Sequence, residues 1–215
     1  MKTFAVILAG NGVYDGAEIH EAVLTLLAID KLGASYKAFA PDIQQHHVID
    51  HKSKTPASET RNVLVESARL VRGNIQPLSE FRADDFNALV LPGGFGVAKN
   101  LCTYAFDGPD MKVNDEVASA ILTMLELKKP IGAMCIAPVI LAKLLENVTL
   151  TIGTDETTEK HVQQMGAVNV RTRHGDVIAD KHYNVFTTPC YMLDASVSQI
   201  AQGTENLIRD MLASM

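Results

Sequence analysis

Short, continuously apolar runs recur along this chain of 215 residues, and they constrain its fold more than any other feature. Residues 4–9 are apolar throughout, and 87–91 are apolar after Asn87. Strands have this pattern when helices cover both faces of a parallel sheet, because neither face then meets water. Predicted helices alternate with these runs. We therefore predict one α/β domain over 1–215, with a doubly wound, mostly parallel sheet.

The same patterns predict the individual elements. The first helix is expected to turn an apolar face inward, formed by Ile19, Ala22, Val23, Leu26 and Leu27. The polar stretch 41–59 is expected to leave the sheet. We predict helices over 17–32, 60–72, 114–127, 138–145, 155–165 and 194–213. We predict strands over 4–9, 35–40, 87–91, 131–134, 148–152 and 167–170, with a hairpin formed by 177–180 and 183–187.

Composition excludes several classes of function. The net charge is −6 and no Lys/Arg cluster stands out, which argues against a nucleic-acid partner. No apolar run approaches the ~20 residues of a membrane span. The first ten residues resemble a weak signal peptide, but a strand followed by a helix accounts for them better. Three cysteines are too few for a disulfide framework and fit a reducing compartment, which predicts a cytoplasmic protein.

Cys135 is the strongest candidate for a catalytic residue. It lies between the predicted strand 131–134 and a helix that has Pro138 in its first turn. A nucleophile on such a sharp turn needs small residues two positions before and after it, and Ala133 and Ala137 are there. The helix N-terminus would favour the thiolate and lower the pKa of the thiol. The alternative is a buried structural cysteine, which is the commonest role of a free cysteine.

Glu18 has two competing interpretations. It follows Asp15 by three residues at the start of the first predicted helix, so Asp15 could cap this helix while Glu18 reaches back to it. In the functional interpretation, the Glu18 carboxyl instead points at the Cys135 sulfur and has a raised pKa. One carboxyl cannot easily serve both roles.

The glycine-rich segment 92–96 follows a predicted strand. Gly93, Gly94 and Phe95 would let the backbone approach a ligand and present N–H groups to an oxyanion. The segment lacks the Lys-Ser/Thr of a P-loop and the glycine spacing of a dinucleotide site, so it does not predict nucleotide binding. A tight turn without function is the alternative.

The histidines give weaker signals. The spacing of His46, His47 and His51 does not support a metal site, so we expect no metal. His174 and Asp176 could complete a triad with Cys135, although a solvated turn is the more common explanation. Cys102 follows the glycine-rich segment and Cys190 follows the last predicted strand, and each could lie near Cys135 or in the core.

Several strings together resemble a known family. Residues 12–21, 59–64, 91–100, 134–138, 151–155 and 187–192 are similar to the ElbB-like proteins, the enhancing lycopene biosynthesis family. This family is part of the class I glutamine amidotransferase-like superfamily and is related to PfpI-type proteins. The resemblance extends from residue 4 to about 210. It implies a flavodoxin-like fold, a Cys135 elbow, Glu18 as the acidic neighbour of the thiol, a homodimer and a connection to isoprenoid biosynthesis.

One position departs from the family pattern. The residue before Gly12 is commonly Cys in the family, and here it is Asn11. A second thiol beside Cys135 is therefore not expected from this position. Asn11 could instead offer an amide donor to the same pocket.

The resemblance, taken together with the Cys135 elbow, implies a functional hypothesis. Some members are credited with cofactor-independent glyoxalase activity, which would make the protein a weak glyoxalase III-type lyase acting on small aldehydes. Cys135 would form a hemithioacetal with glyoxal or methylglyoxal, N–H groups near Gly94 and Ile136 would hold the oxyanion, and Glu18 would act as base. No cofactor is expected. The rivals are a redox-responsive binding protein and, less favoured because the 187–192 region has no His, a glutaminase-type amidotransferase.

Overall fold

The computed structural model describes residues 1–215, and its backbone alternates strands with helices. The strands are β1 (Thr3–Ile7), β2 (Ser35–Ala40), β3 (Ile49–Asp50), β4 (Thr55–Pro56), β5 (Ile75–Pro77), β6 (Ala88–Leu91), β7 (Ile131–Met134), β8 (Thr149–Leu150), β9 (Val168–Asn169), β10 (Ile178–Asp180) and β11 (Val185–Thr188). The helices are α1 (Ile19–Lys31), α2 (Val63–Ala68), α3 (Tyr104–Asp107), α4 (Asp115–Glu126), α5 (Pro138–Leu144), α6 (Glu156–Gln164) and α7 (Val197–Ala213).

Seven strands form the main sheet in the order β10-β11-β7-β6-β1-β2-β5. All neighbouring pairs are parallel except β10 with β11, which form the predicted hairpin. The two apolar runs noted first are direct neighbours, because Phe4 of β1 pairs with Ala88 of β6. The predicted doubly wound α/β sheet is confirmed. Its central strands β11, β7, β6 and β1 end at the same edge, where their loops can form one site.

Two apolar cores lie on opposite faces of the sheet. One core contains side chains of α1 and α7, and these two helices also pack against each other. The other core contains side chains of α4 and α5. Helices on both faces explain why β1, β6 and β7 are apolar without alternation.

The structure differs from the expectations in two respects and agrees in a third. The predicted strands at 148–152 and 167–170 shorten to β8 and β9, which form a separate pair outside the main sheet. The edge strand β5 was not predicted, since its Pro77 weakens any strand pattern. The polar stretch 41–59 leaves the sheet as predicted and contains the small β3–β4 hairpin.

The inward face of α1 was predicted incorrectly. Ala22 and Leu26 are buried as expected, but Ile19, Val23 and Leu27 are exposed to 44%, 43% and 47%. They lie four residues apart and form one exposed stripe, which we call the α1 stripe. Glu21 and Thr25 take the inward positions instead. The periodicity was real, but two faces of this helix carry apolar side chains.

No helix in the chain has the length and apolar character needed to cross a membrane.

Gly132, in the middle of β7, gives a test of the core between the sheet and α7. A Cβ atom at this position would lie 2.5 Å from Met211 Sδ and 3.3 Å from Val90 Cγ2. Because Met211 is fully buried, it has little room to move. We expect Gly132→Ala to lower the free energy of unfolding by about 1–3 kcal/mol, measured by urea denaturation.

Met211→Ala provides the control background. It removes the side chain that the new methyl group would meet, so Gly132→Ala should cost clearly less when both substitutions are present. Equal costs in the two backgrounds would contradict this account of the packing.

Candidate active site

Cys135 lies in the sharp turn between β7 and α5. Its φ is +58°, in the left-handed region that non-glycine residues seldom occupy. Its N–H donates to the Thr188 carbonyl at 3.1 Å, and Ala133 and Ala137 are fully buried. This strained backbone is the conformation expected of a nucleophile in the sharp turn that the sequence predicted around Cys135. The turn holds the sulfur above the carboxyl ends of the strands.

The acidic group beside this sulfur is Glu21, on the inward face of α1. Its Oε2 accepts from the Gly93 N–H at 2.9 Å and its Oε1 accepts from the Tyr191 N–H at 3.2 Å. A Cβ built on Gly93 would lie 2.7 Å from Glu21 Oε2 and 3.0 Å from Cys135 Sγ. Position 93 therefore requires glycine, because both groups crowd against its backbone.

Glu18 occupies a different position from the one predicted. It is itself the N-cap of α1, where its Oε2 accepts from the Glu21 N–H at 2.8 Å. Asp15 does not cap this helix, since its Oδ2 accepts from the Ile49 N–H at 2.6 Å. No hydrogen bond joins Glu18 to Cys135. Glu18 lines the same pocket as the thiol, but the close acidic partner of Cys135 is Glu21.

Burial dominates the ionisation of both groups. It raises the pKa of Glu21 to about 8, helped by the charge of Glu18 and opposed by the N–H donors of Tyr191 and Gly93. Burial and then the negative charge of Glu21 raise the pKa of the Cys135 thiol well above its ordinary value. The expectation of a lowered thiol pKa was therefore wrong. The helix terminus alone does not compensate for removing the sulfur from water.

Two backbone N–H groups lie close to the sulfur and partly oppose this effect. Hydrogen bonds from the N–H groups of Gly94 and Ile136 both lower the pKa of Cys135. They come from the glycine-rich loop and from the first residue after the elbow. The N–H of Gly93 is not available in the same way, because it donates to Glu21.

A pocket of about 340 Å³ opens above Cys135. Of the residues predicted for the site, it brings together Glu18, Gly94, Phe95, Cys135 and Ile136. Gly93 lies behind Cys135 rather than in the wall, and Asn11 is not part of the lining. The other lining residues are Val13, Ala98, Tyr104, Ala105, Asp155, Thr158, Tyr191 and Met192.

The histidines singled out in the sequence do not line the Cys135 pocket. His46 and His47 pack against Phe106, and His51 Nε2 accepts from the Tyr14 N–H at 3.3 Å. His174 and Asp176 belong to a loop whose Gly175 packs against α7, and neither lines the pocket. No group of three or more His, Cys, Asp or Glu side chains is placed to hold a metal ion.

The other two cysteines are buried without facing the pocket. Cys102 Sγ contacts the Val97 carbonyl oxygen at 3.3 Å, and burial raises the pKa of Cys102 to about 12. Cys190 follows β11, has a φ of +41° and packs into the same core as Cys135. Burial and then the charge of Glu21 raise the pKa of the Cys190 thiol. All three cysteines are free.

Sequence reasoning missed Glu21 and the wall formed by α3 and α6. Glu21 gave only a partial signal, because it is next to the buried Ala22, but the inward face predicted for α1 did not include it. A charged residue at such a position is seldom buried without a function. Tyr104 had no comparable signal, since its helix has only four residues.

Comparison with known proteins identifies the family. No protein-family model matches the chain. It is 41% identical over 97% of its length to the human glutamine amidotransferase-like class 1 domain-containing protein 3, mitochondrial, of which it covers 81%. It is also 41% identical to the rat ES1 protein homolog, mitochondrial, over 97% of this chain and 82% of that one. The chain belongs to the ES1 and ElbB-like family of class 1 glutamine amidotransferase-like proteins. The resemblance found in the sequence is confirmed.

Solved structures agree with this assignment. An isoprenoid biosynthesis protein with an amidotransferase-like domain from Ehrlichia chaffeensis matches with a TM-score of 0.92 and 38% identity, over 99% of this chain and 100% of that one. A DJ-1 superfamily protein from Salmonella typhimurium matches with a TM-score of 0.63 and 22% identity, over 99% and 91%. The second likeness shows the shared DJ-1 fold.

Replacing Glu21 is expected to change how Cys135 responds to pH. Glu21 loses its proton as the pH rises through about 8, and its charge then opposes ionisation of the thiol. Glu21→Gln keeps the size without the charge, so the thiol pKa should fall. Iodoacetamide should then alkylate Cys135 several-fold faster at pH 9, since thiolate controls the rate. Mass spectrometry from pH 6 to 10 measures this.

Glu18→Gln is the matched control, because Glu18 is the neighbouring carboxyl and does not act directly on Cys135. Its alkaline profile should stay close to that of the wild type. Superimposable profiles for Glu21→Gln and the wild type would mean that the Glu21 charge does not reach the sulfur.

Proposed function

We propose that this protein is a cofactor-independent glyoxalase of the glyoxalase III type, acting through Cys135. The observation that carries the proposal is the strained Cys135 at the base of a pocket, with the proton-holding Glu21 beside it. A nucleophile needs a neighbouring group that takes and returns protons. Glu21 has a pKa of about 8, which suits this role near neutral pH.

In the first step, the ionised form of Glu21 takes the proton of the Cys135 thiol as the sulfur adds to the aldehyde carbon of methylglyoxal, and Glu21 later returns this proton to the oxyanion. A C–S bond forms, and the electron pair of the C=O bond moves to oxygen. The N–H groups of Gly94 and Ile136, which already point at the sulfur, stabilise this oxyanion until a proton gives the hemithioacetal.

In the second step, the ionised Glu21 removes the hydrogen on the former aldehyde carbon and yields an ene-diol. Returning the proton to the neighbouring carbon gives a thioester of lactate on Cys135. Water then cleaves the C–S bond, releasing lactate and restoring the thiol. The whole reaction adds one water to methylglyoxal and needs no external oxidant or reductant. Glu21 takes the role expected of Glu18, because Glu21 is the carboxyl beside the sulfur.

A redox-responsive binding protein is the second candidate. The strained Cys135 at the base of the pocket supports it. The raised pKa of the thiol does not favour it, because oxidation of a cysteine also proceeds through the thiolate. A glutaminase is the least supported reading. That chemistry needs a histidine beside the thiol, and the pocket lining contains none.

We also propose a homodimer, as the resemblance implies. The α1 stripe supports it, because Ile19, Val23 and Leu27 expose apolar surface along one helix. A two-fold axis across α1 would bury two copies of the stripe against each other. For location, three free cysteines support a reducing compartment such as the cytoplasm. The named human and rat relatives are described as mitochondrial.

Removing the thiol should abolish turnover. Cys135→Ala is expected to reduce methylglyoxal conversion to lactate at least ~100-fold, because no covalent intermediate can form. Cys102→Ser and Cys190→Ser are the matched thiol controls and should retain most activity, since neither thiol faces the pocket. Lactate assay with the purified proteins measures this. Wild-type turnover by Cys135→Ala would refute the mechanism.

Charges on the α1 stripe should dissociate the dimer. Val23→Glu combined with Leu27→Glu would place carboxylates where two apolar surfaces meet, so sedimentation velocity should show a monomer at micromolar concentration. Leu122→Glu is the control, because Leu122 is exposed to 41% on α4, on the other face of the sheet. A wild-type monomer under these conditions would refute the assembly.

A further inference from the structure

The pocket above Cys135 is larger than a minimal dicarbonyl requires. Its volume of about 340 Å³ lies in the range of pockets that enclose drug-sized molecules. Glyoxal and methylglyoxal are only a few water molecules in size and would leave most of this space filled with solvent. A substrate matched to this pocket has a further group beyond its reactive carbonyl.

The walls of the pocket are mainly apolar. Side chains from the loops after β1, β6, β7 and β11 and from α3 form these walls. They are Val13, Phe95, Ala98, Ala105, Ile136 and Met192. An apolar ligand group that packs against these walls removes apolar surface from water, and this favours binding. The further group of the ligand is therefore expected to be apolar.

The charges around the pocket oppose anionic ligands. No Lys, Arg or His is among its lining residues, whereas Glu18 and Asp155 are. Asp155 accepts from the Thr158 N–H at 2.7 Å, and this bond lowers the pKa of Asp155, so it stays ionised. Two basic side chains next to the lining residues already have partners: Lys99 Nζ donates to the Tyr14 carbonyl at 2.7 Å, and His20 Nδ1 lies 2.8 Å from the Tyr191 hydroxyl and 3.8 Å from Glu18 Oε1. A phosphate or carboxylate would enter without a partner and against like charge.

The pocket also has neutral polar groups away from Cys135, the hydroxyls of Tyr104, Thr158 and Tyr191. Tyr104, on α3, has its hydroxyl 3.0 Å from His161 Nδ1 on α6. This contact fixes the phenol ring in the pocket wall and leaves its oxygen able to form a second hydrogen bond. A neutral oxygen on the ligand would suit it.

We infer that the Cys135 pocket binds an uncharged carbonyl compound with an apolar arm, rather than glyoxal itself or a phosphorylated or carboxylated molecule. The inference rests on the proposed function in one respect, because that function supplies the reason for a carbonyl group on the ligand. It also argues against isoprenoid diphosphates as ligands of this pocket, although the Ehrlichia relative is named for isoprenoid biosynthesis. The arm would lie along the apolar wall, with Ala98 and Ala105 providing its space.

Protection of Cys135 from alkylation tests the ligand class without requiring turnover. The probes are acetophenone, which is neutral and aromatic, benzoate, which has the same shape with a charge, and acetone, which lacks the arm. Acetophenone should halve the rate of iodoacetamide labelling at a concentration at least ~10-fold below that of either other probe. Equal protection by benzoate would overturn the exclusion of anions. Equal protection by acetone would overturn the apolar arm.

Filling the pocket provides the matched variant. Ala105→Leu should remove most of the advantage of acetophenone, because the added side chain occupies the space of the arm. Leu122→Glu, on the far face of the sheet, should retain it. A full acetophenone advantage in Ala105→Leu would place the arm elsewhere and overturn the inference.

Turnover separates this inference from the proposed function. The kcat/KM of each dicarbonyl is first divided by the rate at which the same compound reacts with a free thiol in solution. The resulting ratio should be at least ~10-fold higher for phenylglyoxal than for methylglyoxal. If acetophenone protects as expected and neither dicarbonyl is converted, the glyoxalase proposal fails and the ligand class stands. If methylglyoxal is converted and acetophenone protects no better than acetone, the ligand class fails and the glyoxalase proposal stands.

Discussion

The buried carboxyl of Glu21 is the interaction on which the site depends. It accepts N–H groups from Gly93 after β6 and from Tyr191 after β11, and it lies beside Cys135 after β7. These three strands are neighbours in the sheet. One side chain from α1 therefore joins the three loops that surround the sulfur. A buried N–H without an acceptor costs about 1–3 kcal/mol, so the loops and the carboxyl hold each other in place.

This arrangement sets limits on the chemistry. A carboxyl and a thiol share one dry space, so ionising either makes the second ionisation harder. The N–H groups of Gly94 and Ile136 offer the only backbone stabilisation of charge at the sulfur. Addition to a carbonyl suits such a site, because negative charge moves from sulfur to an oxygen that the same donors can reach. The strained backbone of Cys135 keeps the sulfur beside these two N–H donors.

Much of the site was visible in local sequence. Ala133 and Ala137 around Cys135 predicted the elbow because steric crowding is a local property of the turn, and the φ of Cys135 confirms it. The positions of Gly94 and Phe95 in the pocket were also predictable, because a glycine-rich loop after a strand lies at the edge of the sheet where sites form. Glu18 was expected beside the thiol because the family resemblance implied it, and Glu21 was not considered. Spacing alone does not tell which of two carboxyls a helix turns inward. The rotation of α1 depends on its packing against α7 and the sheet.

The sequence by itself determined the doubly wound sheet, the strands at its centre and the nucleophile elbow, because hydrophobic periodicity and turn sterics act over a few neighbouring residues. The tertiary structure alone decided which acid meets the thiol, since more than half of the chain separates Glu21 from Cys135. It also decided the ionisation of Cys135: the helix terminus suggested a lowered pKa, but burial depends on every element packed around the sulfur. The tertiary structure also decided that α3 and α6 form the far wall of the pocket. Local rules fix the shape of each turn, whereas desolvation and contact between distant segments exist only once the whole chain has folded.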